Sequence, residues 1–242
     1  MELAAKDFVL KSVQLVMFTN KPGELVTRRI LGTILGAFQD RYDGEPQAIP
    51  IPAGAPAELP RVLLASNDGQ YRLDAAVSRV NSYWNRIDSD FSLKEATNLA
   101  IEPLAVLCRE MKLSIGRCSL VAHRLAMRDD AAQYLAEKFC NETTRAGPIS
   151  RSDSFEIHNH KKFTIELKSG SSLELNSWFR CRALQTLPEG KKVVLIQQDL
   201  NSLDEELMSR KFEEDELKDF FESASKESEE IMSLYFPNET QC

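Results

Sequence analysis

Residues 60–84 read PRVLLASNDGQYRLDAAVSRVNSYW, and their pattern decides the fold class. Val62 to Ala65 is apolar throughout. After Asp68-Gly69, Leu73, Ala75 and Val77 alternate with Arg72, Asp74 and Ala76, giving one apolar face at a period of two. Asp68-Gly69 reads as the turn between them. A two-residue hairpin loop needs positive φ, which glycine supplies without strain and Asp tolerates. The parity then slips to Val80, Ser82 and Trp84, so a bulge or bend is expected near Ser78. Trp84 ends the hairpin at Asn85-Arg86-Ile87-Asp88, ahead of a helix cap. The stretch therefore predicts a β-hairpin with a helix on either side.

Toward the N-terminus, Val13 to Phe18 is apolar on both parities apart from Gln14, as in a strand covered on both faces. Asn20, Pro22 and Glu24 together make a helix start. Val26, Ile30, Ile34 and Phe38 form its buried stripe, and the Gly32–Gly36 spacing would let a neighbouring backbone approach. Pro46, Pro50, Pro52, Pro56 and Pro60 make residues 43–60 an extended connector. A role for it as a Pro-rich ligand is the lesser reading, because Ile49, Ile51 and Leu59 look ready to pack.

Toward the C-terminus, Ser92-Leu93-Lys94-Glu95 is a capping box. Its helix buries Ala96, Leu99, Ala100, Leu104, Leu107 and Met111. Leu113 to Met127 reads as a long strand with Gly116 as a candidate bulge. Asp129 or Asp130 caps a short helix through Tyr134, Leu135 and Phe139. Phe155 to Ala183 is a meander turned at Ser169-Gly170, and Pro188-Glu189-Gly190 leads into Val193 to Leu200. The last helix turns Leu217, Phe220, Phe221, Ala224, Ile231 and Tyr235 inward and shows an acidic outer side, most simply a solvated face.

The element order repeats. Strand, helix, hairpin, helix spans 1–112; strand, short helix, meander, long helix spans 113–242. The expected fold is α+β: two tandem units building one mostly antiparallel sheet in a single compact domain, with long helices on one face. Two strands that are apolar on both parities, Val13–Phe18 and Val193–Leu200, imply that the second sheet face is covered in part. A symmetric copy could do this, so a homodimer is expected.

The chain resembles a sporadically distributed family of uncharacterised prokaryotic proteins of about this length. The likeness rests on the apolar first strand, LLASNDGQYRLDAAVSRVNSYW at 63–84, KLSIGRCSLVAHRL at 112–125 with its Ile115-Gly116, VVLIQQDLNSL at 193–203, and IMSLYF at 231–236. It implies an architecture and no particular chemistry.

The 242 residues are 43% hydrophobic and 28% charged, as expected of a globular domain. A net charge of −7 with a pI near 5.2 disfavours nucleic acid as a partner, since a backbone reader needs surplus Lys and Arg. The start, Met1 to Asp7, lacks a cationic end before an apolar run, and no stretch has membrane-spanning length. The cysteines Cys108, Cys118, Cys140, Cys181 and Cys242 are odd in number and contain no CxxC. Scattered reduced thiols and a cytoplasmic location are the expectation.

Phosphate-loop, dinucleotide and nucleophile-elbow motifs are all missing from the sequence. His158-Asn159-His160 could place two imidazoles on one strand face, but no carboxylate or thiol stands at ligand spacing, so no metal and no cofactor is expected. Cys118 and His123 are an odd number apart on one strand and should point to opposite faces. Asp199, closing an apolar run, reads as a cap or turn contact. The best binding signal is Trp178, Arg180 and Arg182 on one strand parity, with Tyr83, Trp84 and Arg86 of the earlier hairpin as candidates to join them. Aromatic residues with Arg are enriched in interfaces. The alternative is that Trp178 covers a sheet face while the arginines pair with acids such as Glu174. The functional expectation is a non-enzymatic binding or assembly protein acting through a sheet face. The alternative is a small-ligand binder or enzyme with an Arg/carboxylate pocket between sheet and helices.

Overall fold

The computed structural model describes residues 2–52, 54–87, 90–145, 153–186 and 190–238. The first half of the chain runs β1 (Val9–Thr19), α1 (Thr27–Phe38), β2 (Gln47–Ala48), β3 (Val62–Ala65), β4 (Tyr71–Ala75), β5 (Arg79–Asn85) and α2 (Leu93–Met111). The second runs β6 (Ile115–Met127), α3 (Ala131–Phe139), α4 (Glu142–Arg145), β7 (Glu156–Glu166), β8 (Ser172–Gln185), β9 (Lys192–Ser202) and α5 (Glu214–Tyr235). The fold is α+β. Nine strands make one antiparallel sheet in the order β2-β3-β4-β5-β1-β6-β9-β8-β7, with α1, α2, α3 and α5 packed against it.

The order has a topological two-fold between β1 and β6. Outward from β1 come β5, β4 and β3; outward from β6 come β9, β8 and β7. Each half is thus a leading strand, a helix, a three-stranded meander and a closing helix. The two closing helices meet over the sheet, where Thr97 Oγ1 and Ser225 Oγ share a buried hydrogen bond of 2.9 Å. Val13, Leu15, Met17, Trp84, Cys118, Leu120 and Leu200 project toward the helices, and all are 0% exposed. None of the described helices is long and apolar enough to cross a membrane.

Several local expectations are corrected. The stretch at 60–84 is three strands rather than one hairpin with a slipped strand. The change of parity at Ser78 is a chain reversal in which the Ala76 N–H donates to the Arg79 carbonyl at 2.8 Å. The loop at Asp68-Gly69 spans more than two residues: Ala65 pairs with Arg72, the Ser66 N–H donates to the Tyr71 carbonyl, and only Gly69 has positive φ, at 77°. Helix α1 begins at Thr27, because Glu24 instead accepts the Ser114 N–H at 2.8 Å. Gly32 and Gly36 face open space and admit no neighbouring backbone. The Pro188 turn lies outside the described residues.

Gly116 marks a register change. Phe18 lies opposite Arg117, but Thr19 lies opposite Ile115, so Gly116 is the residue left over. A Cβ built there would stand 1.8 Å from the Leu207 carbonyl oxygen, closer than any real contact. Gly116→Ala must therefore move the 203–212 backbone off the sheet, at a cost of about 3 kcal/mol, the upper end of ordinary overpacking. Urea unfolding checks this; an unchanged midpoint would show that the Leu207 backbone yields freely.

Candidate functional site

Because side chains alternate along a strand, the register that buries Leu15 and Leu120 under the helices assigns the other parity to the opposite face. Among the described residues no α-helix covers that face; only the 3₁₀ turn Asp204–Glu206 sits against one end of it, near Arg117 and Lys162. Neighbouring strands place Asp74, Asn81, Val16, Ser119, Asn201 and Asn176 in one row across it. The next row is Tyr83, Gln14, Val121, Asp199, Trp178 and His160. A third is Asn85, Ser12, His123, Gln197, Arg180 and His158. A fourth is Val9, Leu125, Leu195, Arg182 and Glu156.

The first row is tied down. Asp74 accepts from Arg72 at 2.9 Å and from Asn81, and Gln14 Nε2 donates to Asn81 Oδ1 at 3.3 Å and to the Tyr83 hydroxyl at 3.2 Å. Burial, with Asp74 close by, pushes the Tyr83 phenol up to about 12, so it stays protonated. Across the sheet centre, Asp199 Oδ1 accepts from Ser119 Oγ and Asn201 Nδ2, each at 3.0 Å. Asp199 is thus a mid-strand residue of β9 held by its neighbours, and no helix cap. Arg117 donates to Asn201 Oδ1 at 3.1 Å and to Asp204 Oδ1 at 2.9 Å. Its guanidinium lies 4.8 Å from the Phe18 ring, with Arg79 on the same ring at 6.0 Å. Phe18, an apolar open-side residue at the end of β1, is therefore clasped by two arginines of the same chain.

Around Trp178 the groups are less committed. His160 stacks on the indole with centroids 4.2 Å apart and planes 13° from parallel, and it hydrogen-bonds to Asn176. The Arg180 guanidinium lies 5.4 Å from the ring. Among the described residues neither Arg180 nor Arg182 is in an ion pair; Glu156, opposite Arg182, bonds His158 at 2.6 Å instead, and Glu174 takes no arginine. Beyond Arg182 lie the exposed apolar side chains Leu184, Met127 and Val9, at 37%, 61% and 37% exposure.

Of the residues singled out by sequence, Trp178, Arg180 and Arg182 share this face. Trp84 does not: it is fully buried under the helices, edge-on to Phe91 at 5.6 Å. Its neighbour Tyr83 is the hairpin aromatic on the open face, four strand spacings from Trp178, or roughly 19 Å. Arg86 follows β5 and pairs with Asp90 at 2.8 Å. Arg117, Arg79 and Phe18 were not anticipated; the odd positions of β6 (Arg117, Ser119, Val121, His123) were the available signal.

Catalytic constellations do not assemble from these parts. Ser12 Oγ lies 3.1 Å from His123 Nδ1, yet no carboxylate bonds that imidazole to orient it as a base. Cys118 and Cys181 are buried on the helix side, with burial pushing both thiols up, Cys181 to about 12. Among the described residues no three His, Cys, Asp or Glu groups converge as a metal site. Between sheet and helices, the buried Arg124 is engaged by Gln198, Ser228 and Glu229, the last at 2.9 Å. One groove on that side, of about 420 Å³, lies between β7 and α5 and is lined by Lys161, Phe163, Glu227, Ile231 and Leu234 among others. The fold and this face define an antiparallel α+β protein in which, among the described residues, one sheet surface carries no α-helix: its row from Asp74 to Asn201 is buried, and its rows through Trp178, Arg180 and Arg182 are partly exposed. No protein-family model matches the chain, and no curated protein is similar to it.

His123 offers a pH test of the face. Burial, reinforced by the Arg182 charge, lowers its pKa below the usual 6.5. The unfolded chain then binds this proton at a higher pH than the folded one, so the stabilising effect of a neutral His123 is complete above pH ~6.5 and is lost as pH falls below it. His123→Gln should flatten the stability–pH curve between pH ~6.5 and 5; an unchanged slope would contradict the shift.

Proposed function

We propose that the chain is a non-catalytic binding and assembly protein that engages another protein surface through the helix-free face of its sheet. The observation that carries this reading is the setting of Trp178: an indole stacked by His160, flanked by Arg180 and Arg182 without carboxylate partners among the described residues, and continuous with exposed Leu184 and Met127. Aromatic and Arg anchors beside an apolar patch are the composition that dominates binding energy at interfaces. Arginines that have no internal ion pair lose least when a partner carboxylate replaces water. The underlying polar rows are cross-bonded, so the anchors stand on a pre-organised surface.

The first partner in view is a second copy of this chain, making a homodimer. When two such faces meet, the exposed acids Glu156 and Glu205 beside this face give a copy the charge that Arg180 and Arg182 lack. The net charge of −7 speaks against nucleic acid. The likeness to an uncharacterised prokaryotic family bears on architecture and adds nothing to the partner.

Light scattering behind size exclusion tests the reading. The chain should give a mass near twice 27.4 kDa, and Arg180→Glu with Arg182→Glu should return it to 27.4 kDa. A wild-type chain that stays at 27.4 kDa at high concentration would remove the second copy, and a double variant that still pairs would remove this face.

A further inference from the structure

At one edge of the sheet the chain covers its own strand. Residues 44–49 run beside β3: the Gly44 N–H donates to the Ala65 carbonyl at 3.0 Å, Gln47 and Ala48 pair with Leu63 and Val62, and the Ile49 N–H donates to the Arg61 carbonyl at 2.8 Å. At the opposite edge lies β7, the counterpart of β3 under the topological two-fold. It is 11 residues long and pairs with β8; among the described residues nothing lies outside it. An uncovered edge offers a row of backbone N–H and C=O groups to any extended chain.

The flanks of that edge differ. On the helix side, α5 leaves the groove of about 420 Å³ open, with Phe163 and Ile231 in its wall and Leu234 81% exposed at its rim. Lys161 lies there too, facing Glu227 and Glu230 of α5. Burial, then the Glu230 charge, raises the Glu227 pKa, so that wall does not welcome a further carboxylate. On the helix-free side the edge shows His158, His160 and Lys162, the last 3.6 Å from Glu205, with Arg180 and Arg182 one strand inward. A strand laid outside β7 would send alternate side chains to these two sides.

We infer that the β7 edge and the groove behind it form a strand-addition site for an extended segment of another protein, in which apolar residues alternate with acidic ones. Apolar side chains fill the groove against Phe163, Ile231 and Leu234, and carboxylates meet His158, His160 and Lys162. A second copy of β7 is a poorer occupant. Its centre reads His158-Asn159-His160-Lys161-Lys162 with no acid from Ile157 to Ile165, and like charges directly opposite each other destabilise a strand pair. The site shares only His160 with the stacked cluster at Trp178, so either can fail alone.

The probe is an acetylated, amidated nonapeptide alternating Val and Asp, added to the full chain. Binding should slow hydrogen exchange at alternating amides of 156–166. N-methylation of the Val amides and of the Asp amides should differ: one pattern is tolerated and the other loses affinity. Leu234→Glu and Lys162→Glu should each weaken the peptide by about tenfold, the loss of one anchor, without changing the scattering mass. A Val/Lys peptide should bind at least about tenfold more weakly than the Val/Asp one. Equal affinity for both N-methyl patterns, no binding of the Val/Asp peptide, or β7 protection that rises with protein concentration alone would each overturn the proposal.

Discussion

The antiparallel pairing of β1 with β6 is the constraint on which the rest of the molecule depends. Leu15 stands opposite Leu120 and Met17 opposite Cys118 on the helix side, all fully buried, while Val16 stands opposite Ser119 on the other. Because side chains alternate, a slip of one residue would turn Leu15 and Met17 outward and bring Gln14 and Phe18 under the helices. The same slip would shift each half against the other, since every other strand is registered through β1 or β6. Taken alone, each half would expose the side of its innermost strand, and the closing helices α2 and α5 would lose the contact at Thr97 and Ser225 that sits over the seam.

That pairing also divides the chemistry of the chain between two faces. The charged group buried at the centre of the helix side is held where it stands: Arg124 is engaged by Gln198, Ser228 and Glu229, and Gln198 Nε2 also donates to the Ser228 carbonyl at 2.7 Å. A buried polar cluster that satisfies itself specifies packing and leaves little for a ligand. The helix-free face has the opposite economy. Its centre is cross-bonded between strands, but toward β8 neither Arg180 nor Arg182 is in an ion pair among the described residues, and Glu156 bonds His158 instead. The arginines without an ion pair therefore lie in the C-terminal half of the sheet, although the two halves share one topology.

Much of the fold was legible because alternation and capping are local. The capping box at Ser92 and Glu95 forms as read, with the Glu95 N–H donating to Ser92 Oγ at 3.2 Å and the Ser92 N–H to Glu95 at 2.8 Å. The α+β class and the antiparallel sheet followed from period-two runs between turns. What escaped was the reversal at Val77-Ser78, which carries no Gly, Asn or Pro to announce it. Reading it as a bulge kept one strand where there are two, and so left Trp84 free to join Trp178. Once the strand ends at Ala75, the pairing of Trp84 with Val13 sends the indole under the helices and leaves Tyr83 outside. The clasp of Arg79 and Arg117 on Phe18 was illegible for another reason: it unites residues from three strands whose adjacency only long-range register decides.

A sheet this wide has to avoid pairing with itself, and its two edges show two ways of doing so. The β3 edge is closed physically by residues 44–49, and Pro46 and Pro50, flanking the covering strand, have no N–H with which to extend a ladder. Among the described residues the β7 edge is left open but marked with basic side chains, from His158 to Lys162. Charge is a conditional barrier. It opposes a copy bearing the same sign, while a chain of opposite sign finds it attractive, so the feature that prevents edge-to-edge aggregation also selects a partner. The net charge of −7 does not cancel this selectivity, because exposed charges beyond roughly 8 Å are largely screened at physiological salt and an approaching strand meets mainly the local cations. Discrimination at this edge therefore rests on a few side chains in contact, set on a backbone whose register is fixed by the central pair of strands.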